Sequence, residues 1–252
     1  MKIDLSNKVA FVTGGSKGIG KTIAETLAQC GANVAIMARG LEELKVVEAT
    51  INSKAGGKAL AIQGDVSNPE DIQKAIKRVS EYFGGLHLAV NNAGIAGDFG
   101  LLHESTIENW RKVLGINLDG IFYAMKYEIT EMLKSGGGSI VNIGSVEGHS
   151  VLNLDPAYTT SKHAITGLTK ASARDYADKN IRINTICPGV IRTPLSESMS
   201  DLTARLEKTI PMKRLGETQE IANTVAFVLS DLSSYTTGID IVVDGAFLLR
   251  GE

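Results

Sequence analysis

Short, almost continuously apolar runs alternate along this chain with longer stretches in which apolar positions recur every three or four residues. The short runs are KVAFVTG (8–14), NVAIMAR (33–39), KALAIQGDV (58–66), LHLAVNN (86–92), SIVNIGS (139–145), RINTICPG (182–189) and IDIVVDG (239–245). Runs this brief, apolar on successive residues, predict strands buried on both faces, as in a parallel sheet covered by helices. The longer stretches predict helices over about 19–30, 41–54, 69–83, 106–134, 156–178 and 217–230. The helix at 69 has a clear start: Asn68 can cap it, Pro69 suits its first position and Asp71 favours its first turn. Alternating strands and helices imply right-handed crossovers and an α/β, doubly wound (Rossmann) sheet with ligands at the carboxyl edge. No linker, repeat or low-complexity tract interrupts the pattern, so residues 1–252 read as one domain.

The stretch FVTGGSKGIGKT (11–22) fits two phosphate-binding patterns. Gly15 to Thr22 matches the triphosphate loop G-x-x-x-x-G-K-[ST], in which Lys21 would reach phosphate and Thr22 would hold magnesium. Gly14, Gly18 and Gly20 also form a dinucleotide-type turn. Both patterns let backbone approach an anion at a helix N-terminus. The triphosphate reading needs a second acid, for which only Asp244 in IVVD is a weak match. The dinucleotide reading usually places a carboxylate near the end of the second strand to hold ribose hydroxyls. Here that position reads Ala38–Arg39–Gly40. A guanidinium suits a 2′-phosphate, and Lys17 offers a second positive charge, so NADP(H) is expected over NAD(H).

PAYTTSKHA (156–164) places Tyr158 and Lys162 one helical turn apart on one face. An ammonium beside a phenol favours phenolate, so the pair is expected to lower the tyrosine pKa and act as acid and base. Ser145 closes an apolar strand thirteen residues earlier and can donate to a developing alkoxide. Asn117, flanked by Gly115 and Gly120 inside a long helical pattern, is placed to distort that helix and hold water.

Together TGGSKGIG (13–20), NNAG (91–94), Asn117, Ser145, YTTSK (158–162) and PGVIRT (188–193) resemble the short-chain dehydrogenase/reductase family. The likeness extends through IPMKRLGETQEIA (210–222) and YTTGIDIVVDG (235–245), with Ala246 standing where the family often has glycine. The resemblance implies seven strands ordered 3-2-1-4-5-6-7, a homotetramer, and hydride exchange between NADP(H) and a small carbonyl or alcohol substrate. It implies that Tyr158 exchanges the proton, Lys162 holds the nicotinamide ribose, Ser145 orients the substrate oxygen and Asn117 supports a proton path. It assigns Gly14, Ser16, Lys17, Gly18, Ile19, Gly20 and Arg39 to the cofactor's phosphates. Asp65 and Val66 would meet adenine, Asn92, Ala93 and Gly94 the adenosine side, and Pro188, Gly189, Ile191 and Thr193 the nicotinamide.

A formal net charge of −2 gives no electrostatic case for nucleic acid or an acidic membrane. No apolar run reads as a leader or a membrane span, and a cytoplasmic location is expected. Cys30 and Cys187 lack metal-ligand spacing and read as core thiols, so no metal is expected. The segments 146–155 and 193–216 are expected to frame the substrate, the second as a lid. Glu147, His149, Leu152 and Leu154 lie in the first of them. A catalytically silent NADP(H)-binding sensor or scaffold is the alternative function, and a triphosphatase a distant third.

Overall fold

A computed structural model describes residues 2–54, 56–151, 155–197 and 200–249. Leu152 and Leu154 therefore lie outside the described residues. In chain order the first half contains β1 (Val9–Thr13), α1 (Gly18–Gln29), β2 (Asn33–Ala38), α2 (Leu41–Asn52), β3 (Ala59–Gln63), α3 (Pro69–Phe83) and β4 (Leu88–Asn91). There follow α4 (Ile107–Leu114), α5 (Gly120–Lys134), β5 (Gly138–Ile143), α6 (Pro156–Tyr176), β6 (Ile181–Pro188), α7 (Pro194–Glu197), α8 (Ser200–Thr209), α9 (Thr218–Leu229) and β7 (Asp240–Val243).

The strands form one parallel seven-stranded sheet, ordered β3-β2-β1-β4-β5-β6-β7. The order expected from the family resemblance is thus the observed one. Alternate residues of each strand face opposite layers. Ala10, Val12, Val34 and Ile36 pack with Ile23 and Leu27 of α1, Leu44 of α2, and Ile221 and Val225 of α9. Phe11, Ala35 and Met37 pack with Ile72 and Ile76 of α3, Met125 of α5 and Ile165 of α6. Burial on both faces explains why the strands read as continuous apolar runs rather than alternating ones.

The single helix expected over 106–134 is divided by a π-helical turn at Gly115–Asp119. Its wider ring turns Asn117 inward, where the side chain is fully buried. The short helices α7 and α8 were not legible, because the mean hydropathy of α8 is low and its apolar positions are sparse. Asn68 caps α3 as expected, its side chain accepting from the Glu70 N–H at 2.9 Å. Ala246 has φ 68°, in the left-handed region that favours the glycine the resemblance implies there.

A buried polar chain crosses the centre of the sheet. Asn91 Nδ2 donates to Glu128 Oε2 at 3.1 Å and to Asn142 Oδ1 at 3.0 Å. Asn142 Nδ2 donates to Thr169 Oγ1 at 2.9 Å, and Thr185 Oγ1 donates to the same oxygen at 3.0 Å. Glu128 Oε1 and Asn91 Oδ1 are buried without a hydrogen-bond partner among the described residues. Burial outweighs the Asn91 hydrogen bond and pushes the Glu128 carboxyl up to about 8. The folded chain therefore holds a proton at neutral pH that the unfolded chain releases. Its stabilising contribution is complete below the ordinary carboxylate range and is lost as pH rises toward 8. Each pKa unit corresponds to about 1.4 kcal/mol. Glu128→Gln should flatten this dependence and leave the variant more stable than the parent at pH 8–9, with each kcal/mol worth roughly 2–4 °C in Tm. Thermal melts of both proteins from pH 5 to 9 measure the difference, and parallel curves would refute it.

Candidate active site

The carboxyl ends of β1, β4, β5 and β6 converge on one edge of the sheet, and their turns build the site. The β1 and β4 turns are fastened together by Thr13, whose Oγ1 accepts the Asn92 N–H at 3.0 Å and the Ala93 N–H at 3.2 Å. In return Asn92 Nδ2 donates to the carbonyl oxygens of Thr13, at 3.0 Å, and Gly14, at 3.3 Å. A Cβ on Gly20 would collide with the Gly14 carbonyl and the Asn92 amide, so the first turn of α1 can approach β4 this closely only with glycine. Gly14 also needs its left-handed φ of 66°.

α1 starts without a side-chain cap, as α2 does, but α2 carries Glu42 and Glu43 in its first turn. Lys17 precedes α1 in extended conformation, and the first turn of α1 has no acidic residue. By contrast, α3 and α6 are capped by Asn68 and Asp155. The uncapped N–H groups and the positive end of the helix dipole suit an anion, so these residues fit a dinucleotide pyrophosphate. Ser16 and Ile19 are half-buried in this turn, and Lys17 is exposed beside them. Thr193 comes from the far side of the cleft: its Cβ lies 3.7 Å from where a Gly18 Cβ would stand. The turn after β1 and the segment after β6 thereby enclose one groove.

Other expected contacts are distributed around this groove. Arg39 is exposed just beyond β2, and its carbonyl accepts from Gln63 Nε2 at 2.9 Å. Sequence reasoning overlooked Glu43, whose carboxylate folds back against Gly40 and puts a negative charge on the same turn. The Asp65 carboxylate accepts from Ser67 N at 2.9 Å and Ser67 Oγ at 2.7 Å, while Val66 packs against Gly120. Gly189 has its N–H on the Val243 carbonyl at 3.0 Å, after Pro188 closes β6. Ile191 pairs with Gly216, and Thr193 N–H donates to Ser196 Oγ at 2.9 Å.

The triphosphate reading is not supported by this placement. Thr22 Oγ1 lies 2.9 Å from Thr218 Oγ1 and 3.2 Å from the Gly18 carbonyl oxygen, so it is taken up in packing α1 on α9. Asp244 follows β7, four strand positions from β1, or roughly 19 Å at the usual strand spacing. Its two carboxylate oxygens accept from Ala246 N–H and Leu248 N–H, both at 2.8 Å. Neither residue is placed to share a magnesium ion.

At the centre, Asp155 caps α6 by accepting Tyr158 N–H at 3.1 Å. Its other oxygen accepts Gly97 N–H at 3.2 Å, tying the β4 loop to the head of α6. Tyr158 is half-buried, and its phenol lies beside the Ser145 side chain. Lys162 is buried one turn later, donates to the Ile143 carbonyl at 3.0 Å, and lies with Nζ 5.4 Å from the Tyr158 ring centre. Asn117 locks the same wall: it exchanges two 2.9 Å hydrogen bonds with the Ile95 backbone and donates to Ser161 Oγ at 3.2 Å. A Gly94 Cβ would stand 3.3 Å from Asn117 Oδ1 and 3.8 Å from Lys162 Nζ. The structure thus brings Asn117, Ser145, Tyr158 and Lys162 to one place.

The electrostatics differ from the sequence expectation. Burial, followed by the Glu147 carboxylate, holds the Tyr158 phenol above its ordinary value, and the Ser145 hydrogen bond acts in the opposite direction. Burial also brings Lys162 down to about 8, against the opposing pull of Cys187 and Glu147. The expected lowering of the phenol by Lys162 is corrected accordingly: the amine is itself desolvated and directed at the Ile143 carbonyl. Spacing along a helix shows proximity, whereas desolvation depends on tertiary packing. Thr13 and Asp155 were also missed, since a threonine ending a strand and an aspartate preceding a proline are common in other roles.

The model of the family described as enoyl-(acyl carrier protein) reductase matches residues 14–247. Cyclohexanol dehydrogenase of Acinetobacter sp. is 45% identical over 248 residues, covering 98% of this chain and 97% of that protein. Glucose 1-dehydrogenase 2 of Bacillus subtilis is 37% identical, covering 98% and 96%. Among solved structures, a short-chain type dehydrogenase/reductase from Mycobacterium marinum superposes with TM-score 0.93 at 37% identity, covering 97% of each chain. Levodione reductase superposes with TM-score 0.92 at 33% identity, covering 96% and 97%. With its sheet order, its glycine turn and the joined Ser145, Tyr158 and Lys162, this chain belongs to the short-chain dehydrogenase/reductase family of NAD(P)-using oxidoreductases.

Proposed function

We propose that this protein interconverts a ketone and a secondary alcohol with NADP(H), using Tyr158 as general acid and base. The observation that carries this reading is that Tyr158, with Lys162 Nζ 5.4 Å from its ring, meets Ser145 at the sheet edge where the glycine turn opens. Bound NADP(H) supplies or accepts the hydride. During reduction, the Ser145 hydroxyl and the phenol stabilise the oxygen as negative charge develops, and Tyr158 gives up its proton. During oxidation the same oxygen takes the alcohol proton. Asp155 and Ser161 hold the first turn of α6, which fixes the phenol's position.

Arg39 and Lys17 are exposed on either side of the uncapped start of α1, and both side chains reach toward a ribose 2′-phosphate in this reading. The intact triad favours an enzyme over a silent sensor. The name of the Acinetobacter relative makes cyclic secondary alcohols the first substrates to try. The segment 193–216, with α7 and α8, serves as the substrate lid, and Leu206 and Ile210 of α8 and its exit pack on Val146 and Phe247. The chain works as a cytoplasmic homotetramer.

A panel of cyclic and open-chain ketones and alcohols, followed by nicotinamide absorbance with each coenzyme, tests the reading; no turnover with any pair would reject it. Tyr158→Phe should retain NADPH binding by fluorescence titration and lose about 10²–10⁴-fold in turnover. Unaltered reduction by that variant would remove the acid/base assignment. The raised phenol also sets a direction for pH: kcat/KM for alcohol oxidation should climb through the alkaline range, while reduction holds level near neutrality. A reduction rate that rises with pH would contradict it. Arg39→Asp combined with Lys17→Ala should shift preference toward NAD(H) by tenfold or more, and Glu43→Gln should improve the NADP(H) KM; an unmoved coenzyme ratio in both would show that the 2′-phosphate contacts lie elsewhere.

A further inference from the structure

Cys187, His149 and Asp240 are widely spaced in sequence but meet beside the catalytic turn. Their ligand atoms lie within 4.8 Å of one another. Cys187 Sγ is 3.5 Å from His149 Nε2, which is 3.8 Å from Asp240 Oδ2. We propose that His149 Nε2, Cys187 Sγ and the Asp240 carboxylate bind a borderline-soft divalent cation of the zinc type, with water as the fourth ligand. Tetrahedral zinc, with Zn–S near 2.3 Å and Zn–N near 2.0–2.1 Å, requires a sulfur–nitrogen separation of about 3.5 Å. The observed separation already meets this requirement. The nitrogen–oxygen pair needs to close by about 0.4 Å and the sulfur–oxygen pair, within 4.8 Å, by up to about 1.2 Å, so Asp240 as well as His149 must shift toward the thiol on binding.

A second, independent feature points to a ligand. Asp240 has a side chain only 7% exposed, and its Oδ1 is buried with no hydrogen-bond partner among the described residues. Oδ2 is paired with Lys170 Nζ at 2.8 Å. A buried carboxylate with one oxygen lacking a donor is costly, and a cation that binds the carboxylate reduces that cost; the oxygen facing His149 is Oδ2, the one that Lys170 holds. Lys170 is half exposed and can swing into solvent, but while in place its charge opposes a metal. Cation entry is from the His149 side, since Cys187 is fully buried. On binding, the thiol proton leaves to solvent and the thiolate ligates the metal. The spacing of cysteines in the sequence concealed this cluster, because its three residues come from the turn after β5, the end of β6 and the start of β7.

Titration of the full chain with cobalt(II) chloride tests the site, because cobalt reports on a zinc-type geometry by absorption. One equivalent should produce thiolate-to-cobalt charge-transfer absorption and the intense visible bands of four-coordinate cobalt, both displaced by zinc chloride. Cys187→Ser should abolish the charge-transfer band, while Cys30→Ser should leave it intact. His149→Ala should weaken binding more than tenfold, and Lys170→Met should tighten it several-fold. Both of these positions are solvent-facing, so they keep the test decisive if the buried cysteine variant does not fold. Absence of a thiolate band with the parent protein, its survival in Cys187→Ser, or weaker binding in Lys170→Met would each overturn the proposal and leave only a thiol–imidazole hydrogen bond.

Discussion

The whole cleft depends on how closely the turn after β1 can approach the turn after β4. Two absent side chains and one amide set that distance: Gly14 and Gly20 leave no bulk between α1 and the sheet, and Asn92 fills the gap with hydrogen bonds. Thr13 secures the junction from beneath. Had any ordinary residue replaced Gly20, the start of α1 would move outward, taking its uncapped N–H groups away from the groove. In the proposed function the pyrophosphate would therefore be met by backbone packing, and Lys17 and Arg39 would serve only the 2′-phosphate.

The proposed chemistry lies where that groove meets α6. Its first turn is held at several points, by Asp155, by Ser161 and, through Asn117, by the loop after β4. Such over-determination suits a proton donor whose direction matters more than its affinity for a proton. Desolvation works against charge on both Tyr158 and Lys162, leaving the phenol protonated and the amine more easily deprotonated than an exposed lysine. The charge that a reacting oxygen develops would then be met by groups arranged in advance, with little water to reorganise.

Much of this was legible in the sequence because it depends on local rules. Strands buried on two faces must be apolar throughout, and helices laid on them must repeat every three to four residues, so β1 to β7 and most helices could be read directly. Ser145, Tyr158, Lys162 and Asn117 were singled out by the family resemblance together with the spacing of Tyr158 and Lys162, and the structure brings them to one place. What could not be read depends on contacts distant in sequence. The capping of Gly97 and Tyr158 by one carboxylate, the burial that reverses the expected shift of the phenol, and the return of Glu43 onto Gly40 all require the folded chain. The π-helical turn at 115–119 was foreseen only as a distortion, because flanking glycines reveal tolerance of an irregular helix and not its pitch.

Asp155 carries a mechanical consequence. One of its oxygens steadies the backbone of Tyr158 and the other steadies Gly97, so a single rigid carboxylate spans the helix and the loop facing it. Any outward swing of that loop to admit a bulky molecule must either break one hydrogen bond or drag the head of α6 with it. In the proposed function, admission and alignment would consequently be linked through this one carboxylate.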